Sequence, residues 1–452
     1  MPDTRRSEVL LRLGSHSEKQ YVIKTFRLFS GILVGANLLE SSPGATVSFA
    51  LNVLGARRAF AIDPMTYTFG MNLDFIKSET IDRTKGKKAT KFSLKRSFVK
   101  LAAELGNPVS QAVDEDRELG PDDFDDETTG PFCESVYAYQ AGRMRTYFDA
   151  DAQLQEFSSE CPDPSFVFAP YFYIPYPQSG WREWHNLNLR LATEFAGVDG
   201  EIEKHGVICT DHSILDDGAR WLRMCTAFIE TGLPSFWLWL SPLNEEKISN
   251  SRLNALAEGI GAFKKAGRKV YNMHGGYLSA LLSKRGLTGF SHGVGYGESK
   301  DVIPVIGVVV PTVNYHYPPL HIRTSIIDVE RALSELEILD ADDFHAKVCD
   351  CTVCKGVLAG DLKNLRQFGE FVLKVGNQRE SQTPDSAKRC RLHFLLARRK
   401  ELEHVAEFTA AELHQELRDT ATGYAGLPGY LTLQSRARHL NTWANALGGR
   451  GS

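Results

Sequence analysis

The sequence predicts an α/β fold: a (β/α)8 TIM-like barrel followed by a zinc-binding C-terminal subdomain. Three observations lead to this prediction. Strand-like apolar runs alternate with amphipathic helical patterns, the order that produces parallel βαβ units. The chain has 452 residues, 42% of them hydrophobic, and can bury a large core. Three closely spaced cysteines after the last strand-like run indicate a metal site. A doubly wound sheet is the alternative architecture.

The predicted barrel strands fall into two groups, two before residue 75 and six after residue 165. The strand-like runs are 21–29, 58–66, 165–173, 205–211, 235–242, 269–276, 289–298 and 306–316. The helical patterns between most of the later runs are 184–195, 218–230, 250–266 and 277–284. We therefore expect a catalytic barrel domain at residues 1–345, with a charged insertion at about 80–130, and a zinc-binding, helical region at 346–452.

The ends of these runs carry the candidate active-site residues. In a β/α barrel the carboxyl ends of the strands form the face that holds the active site. Carboxylates there can act as nucleophile or proton carrier, glycines let the backbone approach a flat ligand, and aromatic rings provide stacking surface. The candidate catalytic residues are Asp63 and Asp211, and the candidate substrate-binding residues are Tyr171, His274, Gly275, Gly293 and Glu298.

The candidate metal ligands are Cys349, Cys351 and Cys354, spaced Cys-x-Cys-x-x-Cys, together with His393. A structural zinc site uses four protein ligands in a tetrahedron. Cys390 is the alternative fourth ligand, but His393 is favoured because it begins a helical pattern that can direct one imidazole inward. Eight unevenly spaced cysteines do not resemble a disulfide framework, so we expect a reducing compartment and structural Zn²⁺.

Charge is distributed unevenly, although the net charge is only −4. Residues 83–100 contain eight Lys or Arg and no acid, interleaved with Phe92 and Phe98, and can either contact phosphates or form a solvated face. An acidic run at 114–127 is expected to be a flexible excursion. A second basic cluster, which includes Arg398 and Arg399, surrounds His393 and is expected to face nucleic acid.

The N-terminus is polar, and no apolar run approaches the length of a membrane span. We therefore expect a soluble, cytoplasmic protein with no membrane partner.

The cysteine cluster and four barrel segments resemble, in the same order, the queuine/archaeosine tRNA-guanine transglycosylase family. The segments are 61–67 (Ala-Ile-Asp-Pro-Met-Thr-Tyr), 168–171 (Phe-Ala-Pro-Tyr), 273–276 (Met-His-Gly-Gly) and 289–298, which ends in Gly-Glu. The resemblance spans roughly residues 50 to 400. It implies that Asp63 is an essential aspartate, that the other segments hold a purine, and that the zinc is structural.

The sequence departs from that family where its nucleophilic aspartate would lie, in an Asp-x-x-x-Pro-Thr-Arg segment. Here Pro311-Thr312 has Gly307 in place of the aspartate and Val313 in place of the arginine. Two replacements remain open: Asp211, from its place at a strand end, and Asp340, from its order in the chain. Tyr171 also stands where the family has an aspartate.

With these departures the pattern is similar to the DNA-modifying DpdA branch of the family. The resemblance implies a pentosyltransferase that exchanges guanine in DNA for a 7-deazaguanine, 7-cyano-7-deazaguanine (preQ0). A guanine inside a duplex must be flipped out or be single-stranded to react. The expected partners are DNA, the 7-deazaguanine base and accessory DNA-modification proteins. The alternatives are a tRNA-guanine transglycosylase acting on tRNA and a non-catalytic nucleic-acid-binding paralogue.

Overall fold

The computed structural model describes residues 7–54, 59–82, 89–152, 155–156, 161, 163–295, 298–303, 312–374, 379–427 and 432–448. Its strands are β1 (Glu8–Leu13), β2 (Gly31–Gly35), β3 (Ala59–Asp63), β4 (Lys77–Asp82), β5 (Ala89–Leu94), β6 (Phe166–Phe168), β7 (Glu203–Asp211), β8 (Ser235–Ser241), β9 (Lys269–Asn272), β10 (Gly289–Gly293), β11 (Tyr315–Tyr317), β12 (Ile322–Thr324), β13 (Phe371–Lys374) and β14 (Arg379–Gln382). Its helices are α1 (Lys19–Thr25), α2 (Ala36–Ser41), α3 (Pro43–Leu54), α4 (Arg96–Leu105), α5 (Val109–Asp114), α6 (Asp126–Ala150), α7 (Trp181–Gly197), α8 (Gly218–Glu230), α9 (Asn250–Lys265), α10 (Tyr277–Leu282), α11 (Ile326–Glu335), α12 (Ala341–Lys347), α13 (Thr352–Leu358), α14 (Pro384–Glu407), α15 (Ala410–Ala425), α16 (Thr432–Arg436) and α17 (Arg438–Leu447).

Eight parallel strands form a nearly closed barrel in the order β3-β2-β1-β10-β9-β8-β7-β6. Each strand therefore lies beside the barrel strand that precedes or follows it in the chain. The two edge strands meet through Ser165, just before β6, whose backbone N–H donates to the carbonyl of Phe60 in β3 at 2.8 Å. This architecture confirms the predicted fold class.

The barrel is filled from inside and covered from outside, which explains why its strands read as continuous apolar runs. In β8, Trp237 and Trp239 join an apolar cluster in the interior, while Phe236 and Leu238 join the larger core beneath the helices. Since successive side chains of a strand point to opposite faces, both sets become buried. The interior is therefore a packed aromatic core and not a channel.

Two of the predicted strands are wrong. Residues 21–29 form α1 and a 3-10 turn instead, and the first two barrel strands are β1 and β2. The buried residues of α1 include Tyr21, Val22 and Thr25, which lie on one face of the helix. The short apolar run was therefore interpreted with the two-residue period of a strand, although it has the period of a helix. Of the run 306–316, residues 306–311 lie outside the described residues, and β11 pairs antiparallel with β12 instead of joining the barrel.

The acidic run at 114–127 is ordered where a flexible excursion was expected. Arg117 bridges Glu115 and Asp123 with N–O distances of 2.6 and 2.9 Å. Asp125 caps α6 by accepting from two backbone N–H groups. The carboxylates of Glu115, Asp123 and Asp125 thus have partners within this segment.

Among the described residues, no helix combines the length and apolar character that crossing a bilayer requires.

Candidate active site and metal site

Asp63 lies at the carboxyl end of β3 and is only 1% exposed. Three groups hold its carboxylate. Arg12 lies near the end of β1, which is separated from β3 by β2, and places Nη1 3.0 Å from Oδ2. The hydroxyl of Tyr171 donates to Oδ1 at 2.8 Å, and the backbone N–H of Met65 donates to the same oxygen at 3.0 Å. The side chain therefore points into the barrel mouth and has one fixed orientation.

Tyr171 positions Asp63 and belongs to an aromatic layer beneath the mouth. Burial and the nearby Asp63 charge raise the pKa of Tyr171 well above its usual value, so its hydroxyl remains a donor. The ring of Tyr67 stacks on Tyr171 with centroids 5.5 Å apart, and Trp239 meets Tyr67 edge-on at 4.9 Å. Tyr171 is 1% exposed. It therefore supports the carboxylate, whereas the sequence had predicted that it contacts substrate.

Residues 298–303 fold against the carboxyl end of β8. The Trp239 indole N–H donates to the carbonyl of Lys300 at 3.0 Å, and the Val302 N–H donates to the Ser241 hydroxyl at 2.7 Å. The Lys300 ammonium lies 5.6 Å from the centre of the Trp239 ring. Lys300 is exposed, yet desolvation by the surrounding protein, followed by repulsion from Arg12, lowers its pKa to about 8. Solvent therefore reaches this part of the barrel mouth.

Asp211, at the end of β7, is the more accessible of the two candidate catalytic carboxylates, with a side chain 24% exposed. Its Oδ1 accepts from the backbone N–H of Ser213 at 2.8 Å, and Tyr173 donates to Oδ2 at 3.3 Å. Asp211 and Asp63 both end parallel strands of one barrel, so they lie on the same face. Asp340, the order-based alternative, is exposed and caps α12.

The glycine segment after β9 lies against a buried glutamate that the sequence did not reveal. Glu245 accepts from the backbone N–H groups of Gly276 and Leu278 at 2.8 and 3.0 Å. A Cβ at Gly276 would lie 2.7 Å from Glu245 Oε2, so any other residue there would have to displace this carboxylate. Burial has the largest influence on Glu245 and raises its pKa to about 7, although hydrogen bonds from Gly276 and Ser279 act in the opposite direction. His274, one residue before this segment, packs 4.8 Å from the Trp239 ring.

Glu298 belongs to a buried ionic network that joins the barrel mouth to the C-terminal region. Its oxygens pair with Arg323 Nε at 2.9 Å and with Arg398, which is fully buried. Burial alone would raise the pKa of Glu298, but the two arginines lower it to about 2. Arg398 also pairs with Glu401 at 2.9 Å. Glu298 lies 3.4 Å from the position of a Cβ on Gly276, so two predicted substrate-binding segments do adjoin each other.

The C-terminal region contains a buried group of three cysteines and one histidine that could hold a metal ion. The donor atoms of Cys349, Cys351, Cys354 and His393 all lie within 4.8 Å of one another. His393 Nδ1 lies 3.8, 3.4 and 3.3 Å from the three sulfurs in that order. Donors roughly 3.5 Å apart suit a single tetrahedral ion with bonds of about 2.0–2.3 Å.

The surroundings of His393 fix which nitrogen faces the sulfurs. Its Nε2 lies 2.6 Å from the carbonyl oxygen of His316, an acceptor, so Nε2 carries the proton and Nδ1 keeps a lone pair toward the sulfurs. The Tyr315 ring stacks on the imidazole with centroids 4.2 Å apart. Cys390, the alternative ligand, instead donates to the carbonyl of Phe368 at 3.2 Å. The arrangement fits the prediction of His393 as fourth ligand.

Helix α14 carries both His393 and Arg398, so one rigid element joins the metal group to the network at Glu298. This position corrects the expectation that Arg398 faces nucleic acid, because a fully buried guanidinium cannot reach phosphates. Arg399 is 26% exposed but pairs with Glu403 at 2.9 Å and bonds the carbonyl of Leu28. Within this basic cluster, Arg398 and Arg399 are therefore both engaged by other residues of the protein.

The remaining predicted site residues lie at the mouth without a defined chemical role. The backbone N–H of Gly275 donates to the carbonyl of Ser291 at 2.9 Å, and Gly293 ends β10. Sequence reasoning missed Arg12, Lys300 and Glu245. A lone arginine near the end of the apolar run Glu8–Leu13 was the only available signal for Arg12.

The fold and the site define an α/β protein with an eight-stranded parallel barrel and a C-terminal Cys3His group that could hold a metal ion. No protein-family model matches the chain, and no curated protein matches it either.

Proposed function

We propose that this protein is a DNA-guanine transglycosylase that exchanges guanine in DNA for a 7-deazaguanine, with 7-cyano-7-deazaguanine as the incoming base. The supporting observation is the pair of carboxylates, Asp63 and Asp211, at the carboxyl face of one nearly closed barrel. The resemblance of the surrounding segments to guanine transglycosylases supplies the substrate class. A Cys3His group after the barrel accords with that resemblance.

In the proposed reaction Asp211 is the nucleophile, because it is the more exposed carboxylate. Its oxygen forms a bond to C1′ of the target nucleotide while the bond from C1′ to guanine N9 breaks. Asp63 carries the proton between the departing and the incoming base. The incoming base then attacks C1′ through N9 and releases Asp211. One base replaces another, so the reaction needs no further reactant.

The proposed metal is Zn²⁺, because three thiolates and one imidazole form the donor set that zinc prefers in structural sites. All four ligands are supplied by the protein, which leaves no position for substrate. The metal would hold α14 against the barrel and take no part in base exchange.

The test is nucleoside analysis of DNA from cells that express the protein and have a supply of 7-deazaguanine. The wild type should introduce the modified nucleoside, while Asp63→Asn and Asp211→Asn should each reduce it by about 10²–10⁴-fold. Asp340→Asn is the matched control and should remain active. Loss of activity in Asp340→Asn, but not in Asp211→Asn, would transfer the nucleophile to Asp340.

The two alternatives give different outcomes. A tRNA-directed enzyme would place labelled guanine into tRNA and leave DNA unlabelled. A non-catalytic nucleic-acid-binding protein is favoured by one observation, the 1% exposure of Asp63 with both its oxygens engaged. That role requires Asp63→Asn to keep full biological function.

A further inference from the structure

A groove lined by three arginines lies between α7 and α8, outside the barrel interior. It has a volume of about 410 Å³, within the range of cavities that hold a small ligand. Arg182 comes from the first turn of α7, and Arg220 and Arg223 come from the first two turns of α8. None of the residues that line it is acidic. The groove is therefore a concentrated positive site.

The groove also has an aromatic wall. The Trp181 ring meets Tyr176 edge-on, with centroids 5.3 Å apart. The Arg220 guanidinium lies 5.3 Å from the Trp181 ring and 5.8 Å from the Tyr176 ring. Arg182 lies 5.4 Å from Trp181. Aromatic rings and guanidinium planes together form the stacking surface that unpaired bases use.

The three arginines differ in whether they form an ion pair. Arg220 is held by Asp217 with an N–O distance of 3.2 Å. Arg182 and Arg223 are exposed, and neither forms an ion pair with another residue in the part of the chain that the structure describes. His185 adds a buried Nε2 that has no hydrogen-bond partner among the described residues. Burial lowers the pKa of His185, so its ring is neutral and can bond to a base edge or a phosphate.

The groove opens on the same face of the barrel as the two candidate carboxylates. Helices α7 and α8 follow β6 and β7, so their first turns lie at the carboxyl end of the strands. The loop that carries Tyr176 also carries Tyr173, whose hydroxyl donates to Asp211. A strand with one nucleotide at the mouth could therefore extend along this wall.

We infer that the groove between α7 and α8 binds single-stranded nucleic acid, with Arg182 and Arg223 contacting phosphates and the Trp181–Arg220 pair stacking a base. The inference rests on the proposed function for the identity of the ligand. Phosphate contacts position a strand without reading its sequence, so the groove holds the segment next to the extruded nucleotide. Direct binding tests it without base exchange.

The experiment measures fluorescence anisotropy of a labelled oligothymidylate, which contains no guanine to exchange, over a series of KCl concentrations. Arg182→Ala/Arg223→Ala should raise Kd about tenfold, and it should flatten the slope of log K against log salt by about 1.4, or about 0.7 for each lost contact. The matched control is Arg331→Ala/Arg366→Ala, which removes two exposed arginines outside the groove, one from α11 and one from the segment Leu362–Phe368. It should leave affinity within about twofold of the wild type.

Two further arms make the outcome decisive. Arg182→Lys/Arg223→Lys should keep the wild-type salt slope, since it retains both charges. Equal weakening in both alanine pairs would indicate a net-charge effect and overturn the inference. Displacement by inorganic phosphate at constant ionic strength, independent of oligonucleotide length, would assign the groove to a free anion and also overturn it. If the wild type binds oligothymidylate as expected but does not exchange bases, only the proposed function would be rejected.

Discussion

The metal group and the barrel mouth differ in how the chain assembles them. Three of the four metal donors lie between Cys349 and Cys354, and the fourth comes from one helix. The mouth draws Arg12, Asp63, Tyr171 and Lys300 from four distant segments. The first site is a local motif with one long-range partner, whereas the second exists only once the barrel closes. This difference accords with the proposal that the metal group is structural and that the proposed base exchange takes place at the mouth.

The largest expected effect is loss of the metal. Cys354→Ser, or treatment with a chelator, should release bound zinc and unfold the region around α13 and α14, because structural zinc contributes on the order of 10 kcal/mol. The measurements are zinc content per chain and thermal unfolding. Cys390→Ser is the matched control, since Cys390 is a buried cysteine of α14 that lies outside the metal group. A protein that holds no zinc and resists chelation would contradict a structural metal.

The next effect should come from the link between the two sites. Arg398→Met leaves Glu298 and Glu401 without their shared buried cation, so it should destabilise the protein by about 3–5 kcal/mol in urea unfolding. Arg399→Met removes a partly exposed ion pair with Glu403 and one hydrogen bond to the Leu28 carbonyl, and it should cost less, about 1–2 kcal/mol. Equal effects of the two substitutions would mean that the buried network at Arg398 contributes no more stability than the pair at Arg399.

The stability of the folded protein should depend on pH through Glu245, which lies on the barrel side of the ionic network at Arg398. The pKa of Glu245 is raised to about 7 in the folded protein, mainly by burial, with Glu298 adding to the rise and Arg398 opposing it. Because the folded pKa exceeds the unfolded one, the stability from protonated Glu245 is complete below about pH 4.5 and is lost as pH rises through 7. The loss should be about 3 kcal/mol.

Urea unfolding at pH 4.5 and pH 8 provides the measurement for Glu245. Glu245→Gln cannot ionise and should lack this part of the pH dependence. Glu246→Gln, at a neighbouring position where the side chain is 33% exposed and paired with Arg436, is the control and should follow the wild type. Parallel pH profiles for all three proteins would show that Glu245 does not titrate in this range.

The smallest effect should come from the Tyr171 hydroxyl. Tyr171→Phe removes one hydrogen bond to the Asp63 carboxylate and should destabilise the protein by about 1.5–3 kcal/mol. It should leave zinc content unchanged, because the hydroxyl bonds only to the mouth side of the molecule. Tyr67→Phe tests the neighbouring stacked ring and should have the smaller effect. A larger loss in Tyr67→Phe would assign the support of Asp63 to another group.

Much of the barrel could be predicted from sequence because parallel strands covered on both faces appear as unbroken apolar runs. The run around β8 is the clearest example. Short runs carry less information: residues 21–29 have the composition of a strand but form α1, and the five residues of β2 were overlooked. Helix or strand was decided there by packing against the barrel, which a local pattern does not contain.

The candidate site divides in the same way. His393 was preferred to Cys390 because it begins a helical pattern that can direct one imidazole inward, and in the structure His393, not Cys390, lies beside the three cysteines. The position of Asp63 at a strand end was also readable. Its partners were not, because Arg12 reaches Asp63 only when β1 and β3 share a closed sheet. The prediction that Arg398 faces nucleic acid failed for a different reason. A run of basic residues indicates positive charge, but it does not show that an ion pair with Glu298 allows the arginine to be buried.

The central claim, that a carboxylate at the barrel mouth exchanges one purine for another, is tested most directly with purified protein. A single-stranded oligonucleotide with one labelled guanine is incubated with 7-cyano-7-deazaguanine, and released guanine and incorporated base are both counted. The account predicts equal amounts of the two with the wild type and neither with Asp63→Asn. Exchange by Asp63→Asn at the wild-type rate would contradict it, as would guanine release without incorporation.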